Sequence, residues 1–111
     1  MRKVTSVNFE NEMLLNDFCN ASKTLALISG RWKLSLLFAL QENALTYSEF
    51  KKILPTISDR VLSLQLKKLQ EDSLLIKEKR LENTFYTLTD KGKGLHTIVA
   101  LLSNYDLNTA P

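Results

Sequence analysis

Leu45-Thr46-Tyr47-Ser48-Glu49-Phe50-Lys51-Lys52-Ile53-Leu54-Pro55-Thr56-Ile57-Ser58-Asp59-Arg60 opens a stretch, running on to Leu88, whose reading decides the fold. Thr46 is a residue type that caps free N–H groups at a helix start, and Glu49 is placed to reach back to its backbone. Leu45 and Phe50 can staple across that start. Pro55 stops the short helix, because the residue before a proline is pushed out of the α region. Ser58 then caps a longer helix, predicted from Asp59 to about Glu71. After Asp72-Ser73 the pattern predicts two strands, Leu74 to Lys79 and Thr84 to Leu88. Arg80-Leu81-Glu82-Asn83 turns the chain between them, with Asn83 as the residue that tolerates positive φ. Short helix, turn, second helix and hairpin is the order of a winged helix-turn-helix, which sets its second helix in the major groove of DNA.

In the second helix Leu62, Leu66 and Leu69 keep the i, i+4, i+7 spacing of a buried stripe. Arg60, Ser63, Leu64 and Lys67 fall on the opposite side, with Asp59 nearer the edge. Arg can bridge guanine O6 and N7, Ser can bond to either base type, and Leu can touch a thymine methyl. Leu64 is equally readable as harmless exposure or as a core residue at a helix crossing. Ser58 is placed to donate to a phosphate from the helix start. On the hairpin, Lys77, Lys79 and Arg80 can reach phosphates, contacts that position a protein without reading sequence. Between Lys51 and Arg80 lie eight basic and four acidic residues, a surplus larger than the +3 of the whole chain. Such a concentration is the footprint expected for a nucleic-acid backbone; a solvated surface is its bland alternative.

Around this stretch the chain reads as mainly α. Its 111 residues are one domain by length, and 44% hydrophobic residues with three glycines and two prolines exclude a disordered chain. Residues 1–9 are polar and expected to be flexible. Met13, Leu14, Leu15 and Phe18 can line a short helix within residues 10–18. A clearer helix is predicted over Asn20–Ser29, with Leu25 and Ile28 on its buried face and Gly30 at the left-handed position that closes it. The next helix, Trp32–Leu40, is apolar around much of its circumference and should lie centrally, with Trp32 in the core. Thr89 and Asp90 start a last helix whose Leu95, Ile98, Val99, Leu101 and Leu102 exceed one core stripe; part of it reads as a subunit contact. No apolar run reaches the roughly 18 residues of a membrane span, and the start lacks a secretory pattern. The expected location is the cytoplasm, with no membrane partner. The single histidine, His96, has no companion ligands, no glycine-rich phosphate loop occurs, and no carboxylate pair has a catalytic spacing. Neither an enzyme, a metal nor a cofactor is expected.

These residues resemble the HxlR-type winged helix-turn-helix regulators of bacteria, within the MarR-like superfamily. Ile28-Ser29-Gly30-Arg31-Trp32-Lys33-Leu34 is similar to that family's Ile-Gly-Gly-Lys-Trp-Lys signature. Phe50 to Leu54, Pro55, Ile57-Ser58 and Arg60-Val61-Leu62 are similar to its Phe-x-x-Leu…Leu-Pro-Gly-Ile-Ser-x-Arg-x-Leu run. Leu66-Lys67-Lys68-Leu69 and Tyr86-x-Leu88-Thr89-x-Lys91-Gly92 complete the match, over roughly residues 19–102. Ser29, Thr56 and Ser73 stand where the family usually has glycines. The wing is shorter and lacks the usual prolines, which tells against a minor-groove contact at its tip. The resemblance implies a cytoplasmic, homodimeric regulator of transcription, paired through its first and last helices and binding double-stranded DNA.

Cys19 lies where many members of that family carry a redox-sensing cysteine, thirteen residues before Trp32. Read on its own, it sits at the start of a predicted helix, where the dipole and Lys23 would favour a thiolate. Such a thiol can take up a small electrophile or oxidant as inducer. A buried cysteine acting as a small apolar side chain is the alternative. The expected function is sequence-specific regulation, as a repressor on a palindromic operator. Ser58, Arg60, Ser63, Leu64, Lys67, Lys77, Lys79 and Arg80 would face DNA. The competing reading is a winged-helix module that binds a protein and no DNA, favoured by the anion of Asp59 at the front of the second helix.

Overall fold

Thr46 forms the capping box that its spacing predicts. Its hydroxyl accepts from the Glu49 N–H at 3.2 Å, and its own N–H donates to Glu49 Oε1 at 2.8 Å. A computed structural model describes residues 2–107, with side chains from Asn11 onward. The elements are α1 (Arg2–Ile28), α2 (Arg31–Ala39), β1 (Leu45–Thr46), α3 (Tyr47–Ile53), α4 (Asp59–Glu71), β2 (Leu75–Arg80), β3 (Asn83–Leu88), α5 (Asp90–Gly94) and α6 (His96–Ser103). This is the mainly α winged helix-turn-helix expected from the sequence, with one strand more. Leu45 and Thr46 pair with Tyr86 and Phe85, so the sheet has three antiparallel strands in the order β1-β3-β2. Two residues carry too little periodicity to announce a strand.

Helix α4 starts where Ser58 places it, its hydroxyl accepting from the Val61 N–H at 3.1 Å. It ends in a Schellman-type cap. The Leu74 N–H donates to the Leu69 carbonyl and the Ser73 N–H to the Gln70 carbonyl, both at 2.9 Å. Ser73 takes the left-handed conformation this cap demands, at φ 62°. The core gathers behind α4: Leu36 and Leu37 of α2, Phe50 of α3, Leu62, Leu66 and Leu69 of α4, and Leu74, Leu75, Tyr86 and Leu88 at the sheet. Phe50 and Tyr86 meet edge to face, ring centres 5.9 Å apart. Full burial of each such leucine contributes about 1.5–3 kcal/mol relative to exposure. Trp32 is half-buried against this core, with the Arg31 guanidinium 4.6 Å from its ring centre.

Several expectations need correction. The short helix expected within residues 10–18 and the clearer one expected over Asn20–Ser29 are a single helix, α1, running continuously from Arg2, because no glycine or proline interrupts residues 2–28. Residues 2–9, expected as a flexible tail, thus have helical backbone; Met1 and residues 108–111 lie outside the described residues. Within α1, Ile28 is buried but Leu25 is 58% exposed. Gly30 does have positive φ, yet its φ 98° and ψ 142° lie in a region open essentially to glycine alone, at the entry to α2 rather than as a left-handed cap. The last helix is two, because the chain turns at Leu95 between α5 and α6. In the hairpin, positive φ falls on Leu81 (56°) and not on Asn83, which pairs with Arg80 as part of the ladder.

Candidate nucleic-acid interface

Helix α4 separates its side chains as its periodicity requires. Leu62, Leu66 and Leu69 are buried, whereas Ser58, Arg60, Ser63, Leu64 and Lys67 are all exposed. Leu64 is 46% exposed, which removes the core reading of that residue. No hydrogen bond or ion pair within the described residues occupies the Arg60 or Lys67 side chain, so both cations are free to meet an external anion. Ser58 Oγ accepts from the Val61 N–H and retains its proton as a donor.

The front of α4 carries a network that the sequence did not announce. Lys51 Nζ of α3 stands 3.0 Å from Asp59 Oδ1 and donates to the Ile57 carbonyl at 2.7 Å. The lysine hydrogen bond and charge hold the Asp59 carboxyl below its ordinary value of 3.8, with a smaller contribution from the Tyr47 hydroxyl. Tyr47 donates towards the Asp59 backbone carbonyl at 3.0 Å and lies 3.3 Å from Ser63 Oγ. Tyr47 and Lys51 are four residues apart and so share one face of α3. That spacing was the available signal. The face they present to α4 follows only from the angle between the helices. The anion of Asp59, which favoured a protein partner over DNA, is therefore locally compensated.

The wing divides its cations between two faces. Pairing of Leu75 with Leu88, Lys77 with Tyr86 and Lys79 with Thr84 puts both lysines on the face that continues from the core. Lys77 Nζ lies 5.9 Å from the centre of the Tyr86 ring. Arg80 points to the other face with Ile76 and Glu78. There its guanidinium is 2.8 Å from the Glu78 carboxylate and 5.2 Å from the Phe85 ring centre. The three wing cations expected to act together are thus not one set. Leu81 forms the tip and is 96% exposed.

A second surface is apolar. Leu14, Phe18, Ala21, Leu25 and Ile28 fall on one stripe of α1 at 100° per residue. Ala21, Thr24, Leu25 and Ile28 face Ile98 and Leu102 of α6 across a groove of about 470 Å³. Phe18, Leu25, Leu101 and Leu102 are each at least half exposed. Cys19 is exposed, but it lies far along α1 and not at a helix start. Cys19 therefore lacks the helix-start dipole expected from the sequence, because the free N–H groups are confined to the first turn. At 100° per residue Cys19 also stands about 140° around the helix from the centre of the apolar stripe. Among the described residues no cluster of three His, Cys, Asp or Glu could hold a metal ion, and no helix is long and apolar enough to cross a membrane.

Comparison with known proteins matches residues 27–110 to the family model described as HxlR-like helix-turn-helix. The chain is 33% identical over 94 residues to the HTH-type transcriptional regulator YdzF of Bacillus subtilis (strain 168), covering 77% of this chain and 86% of the relative. Among solved structures it is similar to the redox regulator HypR in two states. The reduced form superposes with a TM-score of 0.71 at 31% identity, over 76% of this chain and 86% of the other. The oxidised form gives 0.70 at 32% identity, over 80% and 100%. The proteins found are transcriptional regulators rather than enzymes.

Proposed function

The chain belongs to the HxlR-like helix-turn-helix family of DNA-binding transcriptional regulators, and from that premise we propose that it works as a homodimeric repressor on a palindromic operator. Each subunit inserts α4 into a major groove, at half-sites about one helical turn, on the order of 34 Å, apart or a multiple of it. The observation that carries this reading is the uncovered polar side of α4, where Arg60, Ser63 and Lys67 stand beside exposed Leu64. Arg60, Ser63 and Lys67 read or approach bases, Leu64 meets a thymine methyl, and Ser58 donates to a phosphate. Lys77 and Lys79 hold the backbone from the inner face of the wing; Arg80 joins them only after leaving Glu78. Pairing through the apolar stripe of α1 and the groove against α6 would cover the exposed leucines there. A dimer seated across a promoter represses by excluding the polymerase, on the chromosome in the cytoplasm.

Regulation through Cys19 by a small oxidant or electrophile is part of this proposal. Its support is the exposure of the thiol and the similarity to a regulator known in reduced and oxidised forms. The position of Cys19 away from the stripe favours an adduct with a small molecule over a symmetric disulfide across the seam. The test of DNA recognition is a salt titration on a selected operator. With about six phosphate contacts per complex, affinity should fall steeply and linearly in log–log form. Affinity indifferent to salt, or equal for all duplexes, would overturn the reading.

A further inference from the structure

The oxygens around the front of α4 constrain where the protons lie. Tyr47 has one phenolic proton and three oxygen neighbours: the Asp59 carbonyl at 3.0 Å, Asp59 Oδ1 at 3.4 Å and Ser63 Oγ at 3.3 Å. The two Asp59 oxygens can only accept, since the carboxylate is ionised beside Lys51. One of them takes the phenolic proton, the carbonyl being nearer. The contact between Tyr47 and Ser63 is then a hydrogen bond only if Ser63 is the donor. With its single proton turned towards α3, Ser63 offers nothing outward but lone pairs.

We propose that Tyr47 fixes the exposed hydroxyl of Ser63 as a pure acceptor, so that the base it meets must present an exocyclic amine, adenine N6 or cytosine N4. This rests on α4 being the groove helix. An unrestrained serine bonds to donors and acceptors alike, whereas a pinned one discriminates against guanine O6 and N7 and thymine O4. Tyr47 touches no base in this scheme. It is a positioning residue, through which α3 contributes to what α4 reads.

Sequence selection from random duplexes, run on the wild type and on Ser63→Ala, identifies the base pair where only the variant loses preference. At that pair, purine in place of adenine, or 2-pyrimidinone in place of cytosine, removes the amine. Wild-type affinity should then fall on the order of fivefold, and Ser63→Ala should not respond to the same change. Tyr47→Phe keeps the ring and its packing but releases the serine proton. Its preference at this one base pair should widen to guanine or thymine while the remaining positions are selected as before. A wild-type preference for guanine or thymine at the Ser63 position overturns the inference, and so does a Tyr47→Phe variant that selects an unchanged sequence. A wild type that selects no sequence at all overturns the groove reading of α4 itself.

Discussion

Lys51 Nζ lies 3.0 Å from Oδ1 of Asp59, so the acidic side chain in the first turn of α4 is matched by a cation from the preceding helix. Removing the lysine leaves that anion facing phosphate. Lys51→Ala should weaken operator binding several-fold, and adding Asp59→Asn should restore most of it. Lys51→Ala without such rescue would mean that the lysine itself contacts DNA. The same pair has an acid signature. The Asp59 carboxyl is depressed in the folded protein, so its contribution to stability is present above the ordinary value of 3.8 and lost as pH falls through the lower folded value. In Lys51→Ala, carboxyl titration followed by NMR should return Asp59 towards 3.8.

Arg60 and Lys79 should fail in different ways. Arg60→Ala should cost about 1–3 kcal/mol on the best operator and relax preference at one position. Lys79→Ala should weaken all duplexes alike and reduce the salt slope by about one. Competition binding over a panel of operators at several salt concentrations separates the two. An unchanged preference in Arg60→Ala would place the helix wrongly in the groove.

Charge on the apolar groove should dissociate the proposed dimer. Leu25 and Leu102 line it from α1 and α6 and are both at least half exposed. Loss of a leucine's burial costs about 1.5–3 kcal/mol, and two-fold symmetry counts it twice. Leu25→Glu or Leu102→Glu should therefore raise the dimer dissociation constant more than tenfold by sedimentation, and cut operator affinity with it. A dimer undisturbed by both would be paired elsewhere.

Two backbone positions predict opposite changes in thermal stability. Ser73 holds a left-handed conformation that costs a non-glycine residue about 1–2 kcal/mol, so Ser73→Gly should stabilise by up to about 1 kcal/mol after the glycine's own entropy is charged. Gly92 is buried, and a Cβ there would run into the Leu74 carbonyl oxygen, a backbone atom that cannot step aside. Gly92→Ala should destabilise by about 2–4 kcal/mol. Calorimetry on the two variants decides both.

Cys19 is exposed and is the chain's one cysteine. Treatment with diamide and glutathione should produce a single mixed disulfide, Cys19 and glutathione each giving up a thiol hydrogen to the reduced diamide. Operator affinity should change in the wild type and not in Cys19→Ser. Identical affinity for the modified and unmodified wild type would remove Cys19 from regulation.

Most of α4 and its approach is legible in the sequence because its cues are local. Thr46, Glu49, Pro55 and Ser58 act within a few residues, and Leu62, Leu66 and Leu69 repeat along one element. What was missed depends on chain far away. β1 exists because Tyr86 and Phe85 offer it partners, and Tyr47 and Lys51 acquire their roles from the crossing of α3 with α4. Strand alternation alone separates Arg80 from Lys77 and Lys79, so the expectation of one set of wing cations fails on local geometry. The polar run before Met13 carries no periodicity that extends a helix back to Arg2, and no breaker separates the two helices expected within 10–18 and over Asn20–Ser29. With one helix starting at Arg2, Cys19 has no helix start beside it.

The long reach of α1 has a thermodynamic corollary. From Asn11 to Ser22 every side chain is open to water, and only the last turns lean on α2. A rod of that kind, about 40 Å from end to end, gains little from its own globule. If a second copy supplies the missing enclosure, melting should occur at a higher temperature in concentrated solution than in dilute solution. Heating a dilution series would then reveal association as a drifting midpoint, with no nucleic acid in the cuvette.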